Sequence, residues 1–107
     1  MSRQWAPDAC LPDVAGCVID GGAGIVDSTV RLVRLAAATG MPVSEADLAH
    51  LAAYAAGEYL GYADVEGIYW MADDALAHLQ GLAPEGMWID WHEGDLMLQA
   101  SAWWDEQ

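Results

Sequence analysis

Glycine and proline interrupt the chain at short intervals, and this spacing limits the length of every helix and strand that it can form. Two interruptions are "GGAG" at 21–24 and "TGMP" at 39–42, and later ones are "GLAP" at 81–84 and "HEGD" at 92–95. Glycine and proline supply the backbone conformations that turns need and that end helices. The sequence therefore predicts a fold assembled from short elements.

Apolar residues at helical spacing predict a first helix between the first two interruptions. It is expected to begin near Asp27 or Ser28 and to end at Gly40, because a glycine followed by a proline is typical of a helix C-terminus. Its expected apolar stripe consists of Val26, Val30, Val33 and Ala37, widened by Leu32, Leu35 and Ala36.

Two further helices are predicted in the middle of the chain. The second spans "SEADLAHLAAYAAGEYLG" at 44–61, with Ser44 as N-cap and Asp47 three residues later, a pattern similar to a capping box. The third runs from Asp73 through Gln80, where acidic residues at the start favour the positive end of the helix dipole. The expected core face of the second helix is Leu48, Leu51, Ala52, Ala55 and Tyr59.

Strands are predicted on both sides of these helices. "GCVID" at 16–20 and "GIYWM" at 67–71 are short apolar runs, and "MWIDW" with "DLMLQA" around "HEGD" predicts a β-hairpin with a four-residue loop. Alternation places Trp88, Asp90 and His92 on one face of this hairpin, and Ile89 and Trp91 on the other. The predicted fold class is α+β: about three helices packed on a small, mainly antiparallel sheet with a C-terminal β-hairpin, with residues 1–107 as a single acidic domain.

The charge of the chain is its most unusual property. Seventeen Asp and Glu residues stand against three Arg and no Lys, for a net charge of -14, and thirteen of the acids but no Lys or Arg occur from Leu35 onward. A field of this sign attracts cationic partners and repels nucleic acid and anionic membranes. We therefore expect a basic protein or nucleoprotein complex as partner, with no direct binding to nucleic acid or membrane.

No motif of a catalytic, cofactor or metal site is present. The histidines His50, His78 and His92 lack the spacing of a zinc site, and the acids near Gly94 lack that of a calcium-binding loop. The loop "GGAG" lacks the third glycine and the lysine of phosphate-binding motifs, and no serine lies in a nucleophile elbow. We expect no enzyme activity, no cofactor and no metal.

The sequence also predicts where the chain is found. Residues 1–13 lack the pattern of a secretory signal, and no apolar run approaches the roughly 18 residues that cross a bilayer. Cys10 and Cys17 do not have the spacing of a redox pair. We expect a cytoplasmic protein in which both thiols are reduced and buried.

The size, the acidity and the missing lysine resemble the composition of small phage or mobile-element inhibitors, of the anti-CRISPR and antirestriction kind that mimic DNA. The resemblance implies an inhibitor whose carboxylates occupy the basic, nucleic-acid-binding surface of a protein complex. Two alternatives remain: a cytosolic immunity protein that neutralises a basic toxin, and a generic acidic domain of a halophile. The sequence leaves open whether the chain forms a homodimer.

Candidate partner-binding carboxylates are concentrated in the part of the chain that lacks basic residues. They are Glu58, Asp64, Glu66, Asp73, Asp74, Asp90, Glu93 and Asp95. Trp91 and Trp104 join them because tryptophan often anchors protein interfaces. If the tail "SAWWDEQ" extends the last strand, one of its two adjacent indoles points outward.

Overall fold

The structure, a computed structural model, describes residues 16–58 and 60–106. It contains strand β1 (Gly16–Ile19), a 3₁₀ turn (Gly21–Ala23), helices α1 (Ile25–Ala38), α2 (Glu45–Ala55) and α3 (Tyr62–Gly81), strands β2 (Met87–His92) and β3 (Asp95–Ala100), and the short helix α4 (Ser101–Asp105). The predicted α+β class with a C-terminal hairpin is confirmed.

The three strands form an antiparallel sheet in the order β1-β3-β2. Strands β2 and β3 pair without interruption, from Met87 opposite Ala100 to His92 opposite Asp95. Ile89 is fully buried whereas its neighbour Trp88 is 41% exposed, so the predicted faces of this hairpin are confirmed. The inner face packs against the helices.

The hairpin turn is shorter than the sequence predicted. The strands continue to His92 and Asp95, which leaves only Glu93 and Gly94 between them. Both have positive φ, 51° and 88°, which is the backbone of a type I′ turn. This turn matches the twist of the paired strands, so the ladder extends by one residue on each side at the expense of the predicted four-residue loop.

The core lies between the inner face of the sheet and the three longer helices. Each fully buried Leu or Ile side chain contributes about 1.5–3 kcal/mol of hydrophobic stabilisation relative to an exposed one. The cluster consists of Ile19, Val30, Leu32, Val33, Ala36, Leu51, Ile68, Ala75, Leu79, Ile89, Leu96 and Leu98.

Helix α1 starts at Ile25, two residues before the earliest predicted start, and ends as predicted ahead of Gly40, whose φ is 110°. Its apolar stripe is shifted from the prediction, because Val26 is exposed and Ser28 is buried. The Ser28 hydroxyl donates to carbonyl oxygens one turn earlier, Gly24 O at 3.1 Å and Ile25 O at 3.2 Å. These bonds let a polar side chain occupy the buried face.

Helix α2 begins as predicted, since Ser44 Oγ accepts a hydrogen bond from the Asp47 backbone N–H at 3.1 Å. It ends at Ala55, and Gly57 follows with a φ of 74°, so the predicted continuation to residue 61 is wrong. On the predicted core face Leu51 is buried, Leu48 is 43% exposed, and Ala52 and Ala55 are exposed. The remaining member of that face, Tyr59, lies outside the described residues.

Helix α3 replaces the predicted strand at 67–71 and the predicted short helix that followed it. It is one helix of 20 residues, and Ile68, Ala75 and Leu79 are its buried positions. Their separations of seven and four residues place them on one side of a helix, and the packing of this side overrides the strand preference of "IYW". Of the described helices, neither α3 nor any other is long and apolar enough to cross a membrane.

The C-terminal tail forms α4 and does not extend β3, so the condition under which its indoles would alternate is not met. Trp104 Nε1 donates to the Trp88 carbonyl oxygen at 2.9 Å. The rings of Trp103 and Trp104 meet edge to face with centroids 4.9 Å apart, and His92 lies 5.0 Å from Trp103. The three rings thus hold α4 against β2.

The prediction of buried thiols is wrong for Cys17, which is an exposed free cysteine on β1. Its backbone pairs with Met97 of β3, and its side chain belongs to the face of the sheet away from α1, α2 and α3. The other half of this prediction, Cys10, lies outside the described residues.

Candidate partner-binding surface

One side of α3 carries acidic and aromatic side chains that are exposed in the described part of the chain. Tyr62 is 85% exposed, Tyr69 49% and Trp70 65%. Residues separated by three, four, seven or eight positions share a side of a helix. We call this side the α3 outer face; it consists of Tyr62, Glu66, Tyr69, Trp70, Asp73 and Asp74.

The α3 outer face extends for about 18 Å from Tyr62 to Asp74, at 1.5 Å of rise per residue. The described arginines Arg31 and Arg34 both belong to α1, and Arg31 Nη1 lies 3.7 Å from Asp27 Oδ2 of the same helix. No Lys or Arg follows Arg34 in the sequence. The field of the outer face is therefore negative, and no Lys or Arg of its own helix neutralises it.

An internal contact orients the largest aromatic ring of this face. Trp70 Nε1 donates to Glu66 Oε1 at 3.4 Å, one helical turn away. The carboxylate therefore lies beside the edge of the indole, and both groups remain exposed. Tryptophan and tyrosine are enriched at the energetic centres of protein interfaces, so this arrangement is typical of a docking surface.

Tyr69 connects the outer face to α2. Burial raises the pKa of the Tyr54 phenol on α2, and a hydrogen bond and charge interaction with Tyr69 raise it further. An upward shift keeps this phenol neutral at physiological pH. The Tyr54 phenol therefore adds no charge beside Tyr69.

A largely apolar groove lies on one flank of the outer face. It has a volume of about 340 Å³ and separates α3 from the start of α1 and from the hairpin turn. Asp73 lies at its border with the outer face, and Trp91 lines it from β2. The predicted site residue Trp91 thus faces this groove and the core, not the outer side of the sheet.

A second groove, of about 410 Å³, lies on the opposite flank, and we call it the α2–α3 groove. It is bounded by the α1–α2 connection, the first turn of α2 and the middle of α3. Trp70 and Asp74 of the outer face form part of its wall. The described residues that line it are Met41, Pro42, Val43, Asp47, Gly67, Trp70, Met71 and Asp74.

The structure brings some of the predicted carboxylates together and separates others. Glu66, Asp73 and Asp74 share the outer face, and the adjacent pair lies in the middle of a helix, so its predicted role at a helix start is wrong. Asp64 lies in the first turn of α3, with Oδ1 3.9 Å from His50 Nε2 of α2. Glu58 is exposed in the connection after α2.

The hairpin carboxylates form a different surface from the outer face. Asp95 Oδ1 accepts the Gly21 backbone N–H at 2.7 Å, and Asp90 Oδ1 accepts that of Trp91 at 2.8 Å. Glu93 is exposed at the turn, 3.7 Å from His92 Nε2. Two of the three predicted hairpin acids therefore satisfy backbone donors of the fold.

Sequence reasoning missed the aromatic half of the site, Tyr62, Tyr69 and Trp70. The reason is the strand predicted over 67–71, in which alternate residues point to opposite sides. A signal was available, because Val65, Ile68, Ala72, Ala75 and Leu79 continue at helical spacing across Gly67. Following that periodicity places Tyr62, Tyr69 and Trp70 on the side away from the core.

Neither metal-binding geometry nor similarity to another protein indicates a function. Within residues 16–58 and 60–106, no group of three or more His, Cys, Asp or Glu side chains could hold a metal ion. No protein-family model, curated protein or solved structure matches the chain.

Proposed function

We propose that the protein is a non-enzymatic cytoplasmic inhibitor whose α3 outer face occupies the basic, nucleic-acid-binding surface of a partner complex. The observation that supports this most is the row of carboxylates and exposed aromatic rings on one side of α3. A surface of this composition fits a partner rich in Lys and Arg. The arrangement on a helix also holds the groups in place before binding, which lowers the entropic cost of association.

The charge density of this face determines how it would compete with nucleic acid. Glu66, Asp73 and Asp74 lie within about 12 Å along the helix axis. Duplex DNA carries one negative charge per roughly 1.7 Å, or about seven over the same length. Charge alone therefore does not match that of the duplex, and the contacts of Tyr69 and Trp70 must supply part of the affinity.

The test begins with the purified protein as bait in a nuclease-treated lysate of the host cell. We expect it to retain a nucleic-acid-binding protein or complex, and a DNA or RNA oligonucleotide to release that partner. Release is expected because bait and oligonucleotide would occupy the same basic surface. A partner that remains bound at saturating oligonucleotide would contradict the proposal.

Charge-reversed variants locate the surface. The test variant combines Glu66→Lys, Asp73→Lys and Asp74→Lys on the outer face. The control combines Glu85→Lys, Asp105→Lys and Glu106→Lys, which are exposed residues outside that face and give the same change in net charge. We expect the test variant to lose the partner and the control to retain most of it, with both folded by circular dichroism. Equal loss would mean that net charge, and not this face, determines binding.

A further inference from the structure

We propose that the α2–α3 groove receives an arginine side chain of the basic partner and is the anchoring site of the α3 outer face. This inference rests on the proposed function, because it names the partner group that the same surface recognises. It follows from three properties of the groove: an apolar floor, an exposed indole wall and two carboxylates that no described residue neutralises.

The floor of the groove suits the aliphatic stem of an arginine. Met41, Val43 and Met71 line it and are half-buried. Arginine packs its methylene groups on apolar surface while its charged head remains near water. Methionine side chains are flexible and polarizable, so Met41 and Met71 can adjust to an inserted chain. The groove volume of about 410 Å³ is within the roughly 300–1,000 Å³ typical of ligand sites.

The wall of the groove suits the guanidinium group. Trp70 lines the groove and is 65% exposed, so part of its indole is available for contact. A guanidinium group is planar and weakly hydrated, and it stacks on indole rings by cation–π attraction. The hydrogen bond to Glu66 restrains the indole before a partner arrives.

The charge of the groove selects a cation. Asp47 of α2 and Asp74 of α3 both line it, and none of the described residues that line it is Lys, Arg or His. Across the described part of the chain, neither carboxylate has a hydrogen-bond or ion-pair partner. Carboxylates accept paired N–H groups from arginine in a geometry that the compact, strongly hydrated ammonium of lysine does not reproduce.

Gly67 allows the groove to be closed without removing any of these groups. A Cβ added there meets no atom within 4 Å, so a side chain at this position has open space in the groove that Gly67 lines. Glycine is unfavourable in the middle of a helix, so replacing it also favours α3. Gly67→Leu is the blocking variant, and Gly67→Ala is its matched control.

The experiment is an NMR titration of the ¹⁵N-labelled full chain with N-acetyl-arginine amide. The comparison probes are N-acetyl-citrulline amide, which has the same shape without the charge, and N-acetyl-lysine amide. We expect saturable shifts of the Trp70 indole N–H and the Gly67 and Met71 amides with the arginine probe. Loss of the charge-assisted hydrogen bonds should weaken the citrulline probe about tenfold or more, and the lysine probe should bind severalfold more weakly.

The variants decide whether the groove is the site. Gly67→Leu should abolish the saturable shifts, and Gly67→Ala should retain them. Equal responses to arginine and citrulline, unchanged binding in Gly67→Leu, or lysine binding as tight as arginine would overturn the inference.

Failure of this inference can be distinguished from failure of the proposed function. A partner captured through the outer face and released by oligonucleotide, but retained equally by Gly67→Leu, would overturn the groove assignment alone. Arginine-specific shifts together with no captured partner would instead support the groove and contradict the proposed inhibitor.

Discussion

Asp95 Oδ1 accepts a hydrogen bond from the Gly21 backbone N–H at 2.7 Å, and this bond joins the turn after β1 to the hairpin turn across 74 positions of the sequence. The two turns are in close contact, because a Cβ added at Gly21 would lie 2.8 Å from the Gly94 carbonyl carbon. Asp95 therefore stabilises the fold directly, although sequence reasoning had assigned it to partner binding alone.

Replacing Asp95 should lower the stability of the fold, and the loss should be larger when the new side chain has no hydrogen-bond acceptor. Asp95→Ala leaves the Gly21 N–H without its partner and should reduce the free energy of unfolding by about 1–2 kcal/mol. Asp95→Asn retains an amide oxygen at the same position and should lose less. Urea unfolding followed by tryptophan fluorescence measures both, and an Asp95→Ala variant as stable as the parent would show that the hydrogen bond contributes nothing.

The hairpin turn should be improved by changing its first residue. Glu93 has a φ of 51°, in the left-handed region that costs most side chains about 1–2 kcal/mol and asparagine less. Glu93→Asn should therefore raise the midpoint of thermal unfolding. Gly94→Ala, at a φ of 88°, should lower it. A lower midpoint for Glu93→Asn would mean that the Glu93 carboxylate near His92 stabilises the fold by more than asparagine gains from its preference for positive φ.

Replacing Gly67 with alanine should make the protein more stable. Its added Cβ would meet nothing within 4 Å, and alanine is favoured over glycine inside a helix by roughly 0.5–1 kcal/mol. Gly67→Ala should raise the free energy of unfolding by about that amount in a chemical denaturation experiment. Gly40→Ala is the control, since its φ of 110° requires glycine and the same change should destabilise the protein.

The exposed thiol of Cys17 should react slowly at neutral pH. Partial burial, followed by the negative charges of Asp95 and Asp20, raises the pKa of this thiol, and Arg31 opposes the shift. The thiolate is the reactive form, so iodoacetamide alkylation in a Cys10→Ser background should continue to accelerate above the pH range of an ordinary cysteine. Asp20→Asn should shift the profile to lower pH. A profile unchanged from that of the denatured chain would contradict this.

The raised pKa of Cys17 also makes the free energy of unfolding depend on pH. The folded state holds the thiol proton more strongly than the unfolded state, so this contribution is present below the unfolded pKa. It is lost as the pH rises through the folded pKa. Unfolding curves of the Cys17→Ser variant, compared with the parent across the alkaline range, isolate it.

The parts of the fold that were predictable from sequence are those in which local signals and packing agree. Ser44 caps α2 because its hydroxyl reaches a backbone N–H within the same turn, and no distant contact is needed. The hairpin faces follow from alternation, and Ile89 is indeed buried. Its turn was predicted too long, because the choice between a two-residue and a four-residue turn depends on how far the strand ladder extends.

Helix α3 shows where local reasoning fails. Ile68, Tyr69 and Trp70 are common in strands, yet the helix is selected by the burial of Ile68, Ala75 and Leu79 against the rest of the core. The sequence instead predicts a strand at 67–71 followed by a short helix. This prediction places Asp73 and Asp74 at a helix start and does not place aromatic residues beside them. The carboxylate part of the candidate site came from composition and charge, whereas its aromatic part depends on a helix that packing selects.

The α3 outer face also affects how copies of the chain behave towards each other. Exposed rings such as those of Tyr62 and Trp70 tend to make proteins self-associate and precipitate. Here each copy carries a net charge of -14, and like charges keep copies apart at low ionic strength. Salt weakens that repulsion within a Debye length of about 10 Å at 0.1 M. Colloidal stability and the proposed partner recognition thus depend on the same carboxylates, and charge removed from this face is expected to affect both.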